Sequence, residues 1–258
     1  MLGWSLNLFR IRGILLSVHF SFFIFLAFIA QRGWDEAGAT GLIWSVATLV
    51  TFFTCVVLHE LGHSFTAMHY GIGVRRILLM PIGGMAEMDD IPRQPRREFL
   101  ITLAGPLVNF AIAAVLWAVL WQIDLPEEVP AYSAAGFASE LLLWNLAMGI
   151  FNLLPALPMD GGRMLRALLA TRMPYLKATF VAVSVGKIIT VVGALVALFW
   201  AESLLLAALF AFIFFAGEME YRAAKRREIE DAHWRTVLAR VYARAPAPLA
   251  EQPPVLLR

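Results

Sequence analysis

The sequence predicts an all-α polytopic membrane protein of about six transmembrane helices, with a small membrane-associated β hairpin or sheet between the second and third. Composition is the first observation behind this. Of 258 residues, 60% are hydrophobic and only 16% charged, and mean hydropathy is +0.72, whereas an average soluble domain is about one-quarter charged. A formal net charge of +2 with so much apolar surface also excludes intrinsic disorder. The single Cys55 has no intrachain partner, so no disulfide holds the fold and the redox compartment cannot be read from it. The second observation is the recurrence of apolar runs of the length a hydrocarbon core demands. The third is the segregation of Lys and Arg into alternate loops, the mark of cytoplasmic retention.

The expected spans fall at roughly residues 13 to 31, 42 to 70, 99 to 122, 137 to 157, 178 to 199 and 204 to 218. They read as helices because none shows the alternating pattern of a closed barrel. Arg10 and Arg12 precede the first span; Arg75, Arg76, Arg93, Arg96 and Arg97 lie between the second and third; Arg163, Arg166, Arg172 and Lys177 lie between the fourth and fifth. The opposite loops carry Asp35, Glu36, Asp124, Glu127, Glu128 and Glu202 but only Arg32. A multi-pass protein of the cell membrane with both termini in the cytoplasm follows. Residues 188 to 217 read as one long helix would give five spans and place the basic tail outside, so a turn at Ala201 to Ser203 is expected, leaving Lys187 within the membrane. The first run is too long for the core of a cleavable signal and is expected to stay as a helix.

Between the second and third spans, the segment from Gly71 to Met88 is too short and Gly-rich for another span. Its β-branched residues and the turn at Gly83 and Gly84 predict a hairpin tucked against the bundle. A transmembrane domain, 1–218, is expected to give way to a cytoplasmic basic helix and Pro-rich tail, 219–258, whose end at Pro246, Pro248, Pro253 and Pro254 is expected to be disordered.

The chemistry centres on His59-Glu60-Leu61-Gly62-His63, two imidazoles four residues apart with a carboxylate between them. Four residues advance a helix by about 400° and 6 Å, so both rings leave one face and can share a metal ion. Zinc accepts neutral imidazoles, and its catalytic sites pair three protein ligands with one open position. Glu60 would then act as general base. A structural cluster is disfavoured, because His and Glu within an apolar helix cost several kcal/mol unless paired or metal-bound. The candidate third ligand is Asp160, where Pro155 and Pro158 break the fourth span and Gly161 and Gly162 give the backbone freedom to aim a carboxylate inward. Its alternative role is an N-cap for the helix that begins near Arg163. His19 reads as a hydrogen-bonded residue, His69 as interfacial, and Lys187 with Glu140 as a structural pair.

These motifs together resemble the site-2 protease family of intramembrane zinc metalloproteases. The likeness rests on the His59 to His63 motif, Asn152-x-x-Pro155 with Asp160-Gly161, Gly83-Gly84 in the hairpin, and Ala104-Gly105-Pro106-Leu107-Val108-Asn109. It covers roughly residues 10 to 220. The resemblance implies hydrolysis of peptide bonds in or beside transmembrane segments of membrane-anchored proteins, with one zinc ion on His59, His63 and Asp160, and Glu60 catalytic. It also implies a hairpin edge that pairs with unwound substrate, where Gly83 and Gly84 admit another backbone. Asn152 is a candidate donor to the scissile carbonyl or the tetrahedral oxyanion, with a helix-packing amide as its alternative role. One spacing departs from the family pattern: the second proline stands six residues after Asn152 rather than five, while Asp160 keeps its place. The partners expected are a protein substrate and the lipid bilayer, with no nucleic acid. The rival readings are a zinc-containing membrane protein that binds transmembrane helices without cutting them, a metal transporter with ligands strung across the bilayer, and a prenyl-protein protease, for which a Glu would be the third ligand.

Overall fold

Lipid forces each apolar run to satisfy its own backbone groups, and most of the chain accordingly becomes helix. The computed structural model describes residues 4–89, 94–123 and 129–244. Arg93, Asp124, Glu127, Glu128 and the prolines from Pro246 onward therefore lie outside the described residues, as does the expected disorder of the tail. The elements are β1 (Ser5–Ile11), β2 (Ile14–His19), α1 (Phe20–His69), β3 (Val74–Met80), β4 (Gly83–Met88), α2 (Pro95–Leu120), α3 (Ala134–Asn152), α4 (Asp160–Ala170), α5 (Tyr175–Phe199) and α6 (Leu204–Arg244). Five of these helices, all but the short α4, are long and apolar enough to cross a membrane.

The 50-residue α1 is not one rod. Ala37 and Gly38 leave helical geometry, and Gly38 takes φ +59°, a region open to glycine at little cost. The arms on either side fold back on each other. A Cβ on Gly33 would stand 2.6 Å from the Gly41 carbonyl oxygen, and the rings of Phe22 and Phe53 meet edge to face at 4.7 Å. The missing side chains at Gly33 and Gly41 are what let the two arms touch near the turn.

The first span expected from residue 13 is corrected here. Ile14–His19 is a strand, and the helix begins only at Phe20, with the His19 Nδ1 accepting from the Ser21 backbone N–H as its N-cap. A short apolar run does not declare its period, and the deciding signals are the turn before it and its register. Arg12 (φ +49°) and Gly13 (φ +92°) reverse the chain so that β1 and β2 pair antiparallel from Ser5↔His19 to Ile11↔Ile14. The hairpin expected at 71–88 is present as β3 and β4, but the sheet is larger. It has four strands in the order β1-β2-β3-β4, with β2 and β3 parallel and α1 as the connection between them. One face of this sheet, through Ile14, Leu16, Val18, Ile77 and Leu79, packs on Phe53, Val56, Val57 and Leu61 of α1. The sheet is thereby fastened to the helical arm that carries the histidine motif.

The turn expected at Ala201 to Ser203 separates α5 from α6, with Glu202 at φ +47°. Lys187 pairs with Glu218 of α6, Nζ to Oε2 at 2.6 Å, while Glu140 is exposed. The expected Lys187–Glu140 pair is thus corrected: the antiparallel neighbour reached from α5 is α6. The expected boundary at residue 218 falls inside α6, which continues without a break to Arg244. Filling the arm-to-arm contact with Gly41→Leu should destabilise the protein by about 1–3 kcal/mol, the usual cost of overpacking, read as a lower thermal midpoint in detergent.

Candidate active site

The second arm of α1 presents His59 and His63 one turn apart, and both side chains are buried. Their Nε2 atoms lie 3.1 Å from each other, and the rings stand at 87°. Gly62 between them is pressed on α2, where an added Cβ would stand 2.9 Å from the Ala104 carbonyl oxygen. That close approach lets α2 hold both rings from behind. His63 Nδ1 donates to the Ile101 carbonyl at 2.7 Å, and a carbonyl can only accept, so the proton sits on Nδ1. His59 Nδ1 meets Asn109 Oδ1 at 2.5 Å, while the Asn109 amide donates to Asn145 Oδ1 at 2.9 Å and the Asn145 amide to the Leu141 carbonyl at 2.8 Å. The Asn109 oxygen therefore accepts from His59. Both imidazoles are fixed in the tautomer whose bare Nε2 lone pair faces the partner ring.

Asp160 arrives from a different part of the chain. The segment between α3 and α4 carries Pro155 and Pro158, with a cis peptide at Leu157–Pro158, and it is gripped from two sides by residues without side chains. A Cβ on Gly186 of α5 would stand 2.9 Å from Ala156 Cα, and one on Gly217 of α6 would stand 2.7 Å from the Leu157 carbonyl oxygen. The segment delivers Asp160 at the first turn of α4 with Oδ2 3.3 Å from His59 Nε2 and 3.2 Å from His63 Nε2. Asp160 is not the N-cap; that position is Met159, and no side chain caps the helix.

The three facing atoms fit a zinc ion. Tetrahedral coordination with bonds of about 2.0–2.1 Å puts ligand atoms about 3.3 Å apart, and the separations here are 3.1, 3.2 and 3.3 Å. The electrostatics favour a cation as well. Two nitrogen lone pairs and a carboxylate converge, and the buried Asp160 Oδ2 has no hydrogen-bond partner among protein groups. Such an arrangement repels itself unless a cation lies between. His59, His63 and Asp160 also form the metal-capable group found among the described residues. Gly105 completes the floor: a Cβ there would stand 2.7 Å from His59 Nε2 and nearer still to His63.

Glu60 lines the cavity that opens in front of these donors. Gly84, near the start of β4, lies against it, and an added Cβ would come within 2.6 Å of Glu60 Cγ. Gly83 takes φ +132°, which suits a residue without a side chain. Asn152 lines the same cavity, its amide donating to the Met148 carbonyl one turn back at 3.0 Å. All seven residues singled out from the sequence thus converge on one region of the molecule.

Sequence reasoning named Gly105 and Asn109 as part of the family likeness but gave them no role, and it missed Asn145. These residues orient or make room for the ligands, and the signal was available as two amides buried in apolar helices. It also missed a buried ion cluster. Arg166 of α4 bonds Glu98 of α2 through Nη2 at 2.6 Å and Nε at 2.8 Å, and Glu220 of α6 through Nη1 at 2.9 Å. The Tyr175 hydroxyl donates to Glu98 at 3.3 Å, and the guanidinium lies 5.1 Å from the Tyr175 ring centre. Burial works against the Arg166 charge, but Glu98, Tyr175 and Glu220 outweigh it and raise its pKa. Glu98 sits one turn before Ile101, and Arg166 lies about 9 Å along α4 from Asp160 by helical rise. The cluster therefore braces the element carrying the third ligand against the helix that holds the other two.

With this geometry in place, the relatives are informative. The chain matches Peptidase family M50 over residues 47–131 and 127–198, and it belongs to that family. It is 39% identical over 224 residues to a zinc metalloprotease of Methanocaldococcus jannaschii, covering 87% of this chain and 62% of that protein. It is 31% identical over 147 residues to stage IV sporulation protein FB of Bacillus subtilis, covering 56% of this chain and 48% of that protein. The solved structure of a site-2 protease from Methanocaldococcus jannaschii superposes with a TM-score of 0.61 at 39% identity, over 84% of this chain and 95% of that one. The chain thus spans about three-fifths of the archaeal metalloprotease and less of the bacterial one. Replacing Asn109 by Leu should weaken zinc binding by about 10–100-fold, the usual effect of losing a partner behind a histidine ligand, as measured by chelator competition, with the helical content unchanged.

Proposed function

We propose that the chain is an intramembrane zinc metalloendopeptidase that hydrolyses peptide bonds in or near transmembrane segments of membrane-anchored proteins. The observation that carries this is the convergence of two tautomer-fixed imidazoles and an unpartnered carboxylate oxygen beside Glu60, inside a cavity walled by apolar helices. Zinc bound there supplies Lewis acidity that polarises the scissile carbonyl and makes water a nucleophile near neutral pH. The chain's own residues do the rest. Glu60 takes the proton from the attacking water and returns it to the leaving amide nitrogen. Asn109 and the Ile101 carbonyl keep the ligand rings from turning as charge develops. Asn152 donates from the cavity wall to the carbonyl oxygen.

A helical target hides its peptide bonds within its own turns. The unwound segment needs new partners for its freed backbone groups, and the outer edge of β4 offers them. The absent side chain at Gly84 lets the strand edge lie next to Glu60, and the space beside Gly83 is open to another backbone.

Counting the two arms of α1 separately gives six crossings, and the sided distribution of Lys and Arg then leaves both termini in the cytoplasm, in the cell membrane. The break at Ala37 and Gly38 falls on the far side, next to Arg32, Asp35 and Glu36. Three donors clustered at one depth oppose a transport path, and an Asp as third donor opposes the prenyl-protein protease reading.

The test uses the purified full chain in detergent and a synthetic single-span peptide whose membrane helix is weakened by a central Pro. The wild-type chain should cut it, and chelation of zinc should stop the reaction. Glu60→Gln should reduce cleavage by about 10²-fold or more while zinc stays bound. Equal cleavage by Glu60→Gln overturns the reading, and so does a zinc-loaded wild-type chain that binds the peptide without cutting it.

A further inference from the structure

The last helix does not end where its apolar run ends. It continues to Arg244, and its inward face is held at two points next to the site. Gly217 packs on the Leu157 carbonyl, and Glu220 bonds Arg166 at 2.9 Å. From the second anchor onward, Glu220, Ala223, Ala224, Arg227, Glu230 and Asp231 line the same cavity of about 1280 Å³ as His59, Glu60 and Asp160. Offsets of three, four, seven, ten and eleven residues mark a single helical face. From 220 to 231 that face is about 16 Å long, the reach of about five residues of extended chain. The opposite side of α6 carries exposed Arg222, Lys225 and Arg226, the chemistry suited to lipid phosphates. The inward stripe mixes both signs of charge, Glu220, Glu230 and Asp231 with Arg227, and carries two alanines, Ala223 and Ala224, towards its N-terminal end.

Across the cavity stands β4, represented by Met85, Ala86 and Met88. It is the last strand of the sheet, paired on one side by β3, and no strand among the described residues takes its other side. The space between the β4 edge and the α6 stripe therefore leads from Glu60 towards the cytoplasm between a strand edge and a charged helical face that is interrupted by two small side chains, Ala223 and Ala224.

We infer that the cytoplasmic extension of α6 is the outer wall of the substrate passage. The polypeptide just cytoplasmic of the cut runs, as a single extended strand, between β4 and Ala223 and Ala224. This rests on the proteolytic reading above and deepens it: the residues read by the stripe are those at the cytoplasmic flank of the substrate's membrane segment. Side chains of that flank that point at α6 meet the space left by the two alanines, so bulk there is discriminated against.

A matched pair of variants tests it. Ala224→Phe adds a ring on the stripe, and Ala232→Phe adds the same ring on an exposed position of the same helix outside the cavity. Two readouts are taken on the full zinc-loaded chain: the KM for the single-span peptide, and the rate at which EDTA, a hydrophilic chelator, removes zinc. Ala224→Phe should raise KM about tenfold or more and slow zinc removal, while Ala232→Phe changes neither. Ala223→Leu should repeat the effect, so that a folding defect in one stripe variant does not decide the matter. If stripe variants and the control match in KM and in zinc release, the inference is overturned. If the wild-type chain cuts nothing yet the stripe variants alone slow zinc release, the wall stands and the proteolytic reading is what fails.

Discussion

Two imidazole nitrogens and a carboxylate oxygen, all within 3.3 Å of one another and all buried, repel one another when the rings are neutral unless a cation lies between them, and much of the molecule is arranged to keep them there. Each imidazole is denied the tautomer that would relieve the repulsion. The Ile101 carbonyl and the Asn109 oxygen hold the protons on the far nitrogens, and Asn109 is itself held by Asn145. The carboxylate is denied relief too, since with both rings neutral and protonated on Nδ1 the ring atoms nearest to Asp160 Oδ2 are bare nitrogens. A metal ion bound at this point draws on free energy that folding has already set aside.

The construction is asymmetric. His59 and His63 come from one turn of one helix, and their relative position follows from helical geometry alone. Asp160 comes from a proline-broken segment far along the chain, so its position has to be imposed by packing. Three devices impose it. Glycines of α5 and α6 close on the segment itself, the first turn of α4 fixes the backbone at Asp160, and the Arg166 cluster ties α4 to α2 and α6. A buried ion pair of this kind contributes little net stability but is costly to break from one side, which suits a brace better than a glue.

Much of this was legible in the sequence because the signals were local or compositional. Apolar length gave the helices, and the His59 to His63 spacing gave a shared face. The Pro155 to Gly162 stretch gave the break that presents Asp160. What escaped was non-local. Ile14–His19 looks like the start of a membrane helix until the turn at Arg12 and Gly13 and the register with β1 and β3 are known. The fold-back of α1 at Gly38 is hidden inside an apolar stretch, its contacts made by Gly33 and Gly41 on opposite arms. Lys187 advertises that it needs a carboxylate but not which one. Asn109 and Asn145 announce their burial, yet only tertiary structure shows that one reaches a histidine and the other reaches the first.

The central claim is a zinc ion held by His59, His63 and Asp160, and X-ray absorption at the zinc edge of the purified, detergent-solubilised chain measures it most directly. The account predicts one zinc per chain, with nitrogen and oxygen neighbours at about 2.0–2.1 Å and the outer-shell scattering of two imidazoles. A sulfur neighbour at about 2.3 Å, a single imidazole, or no zinc would contradict it.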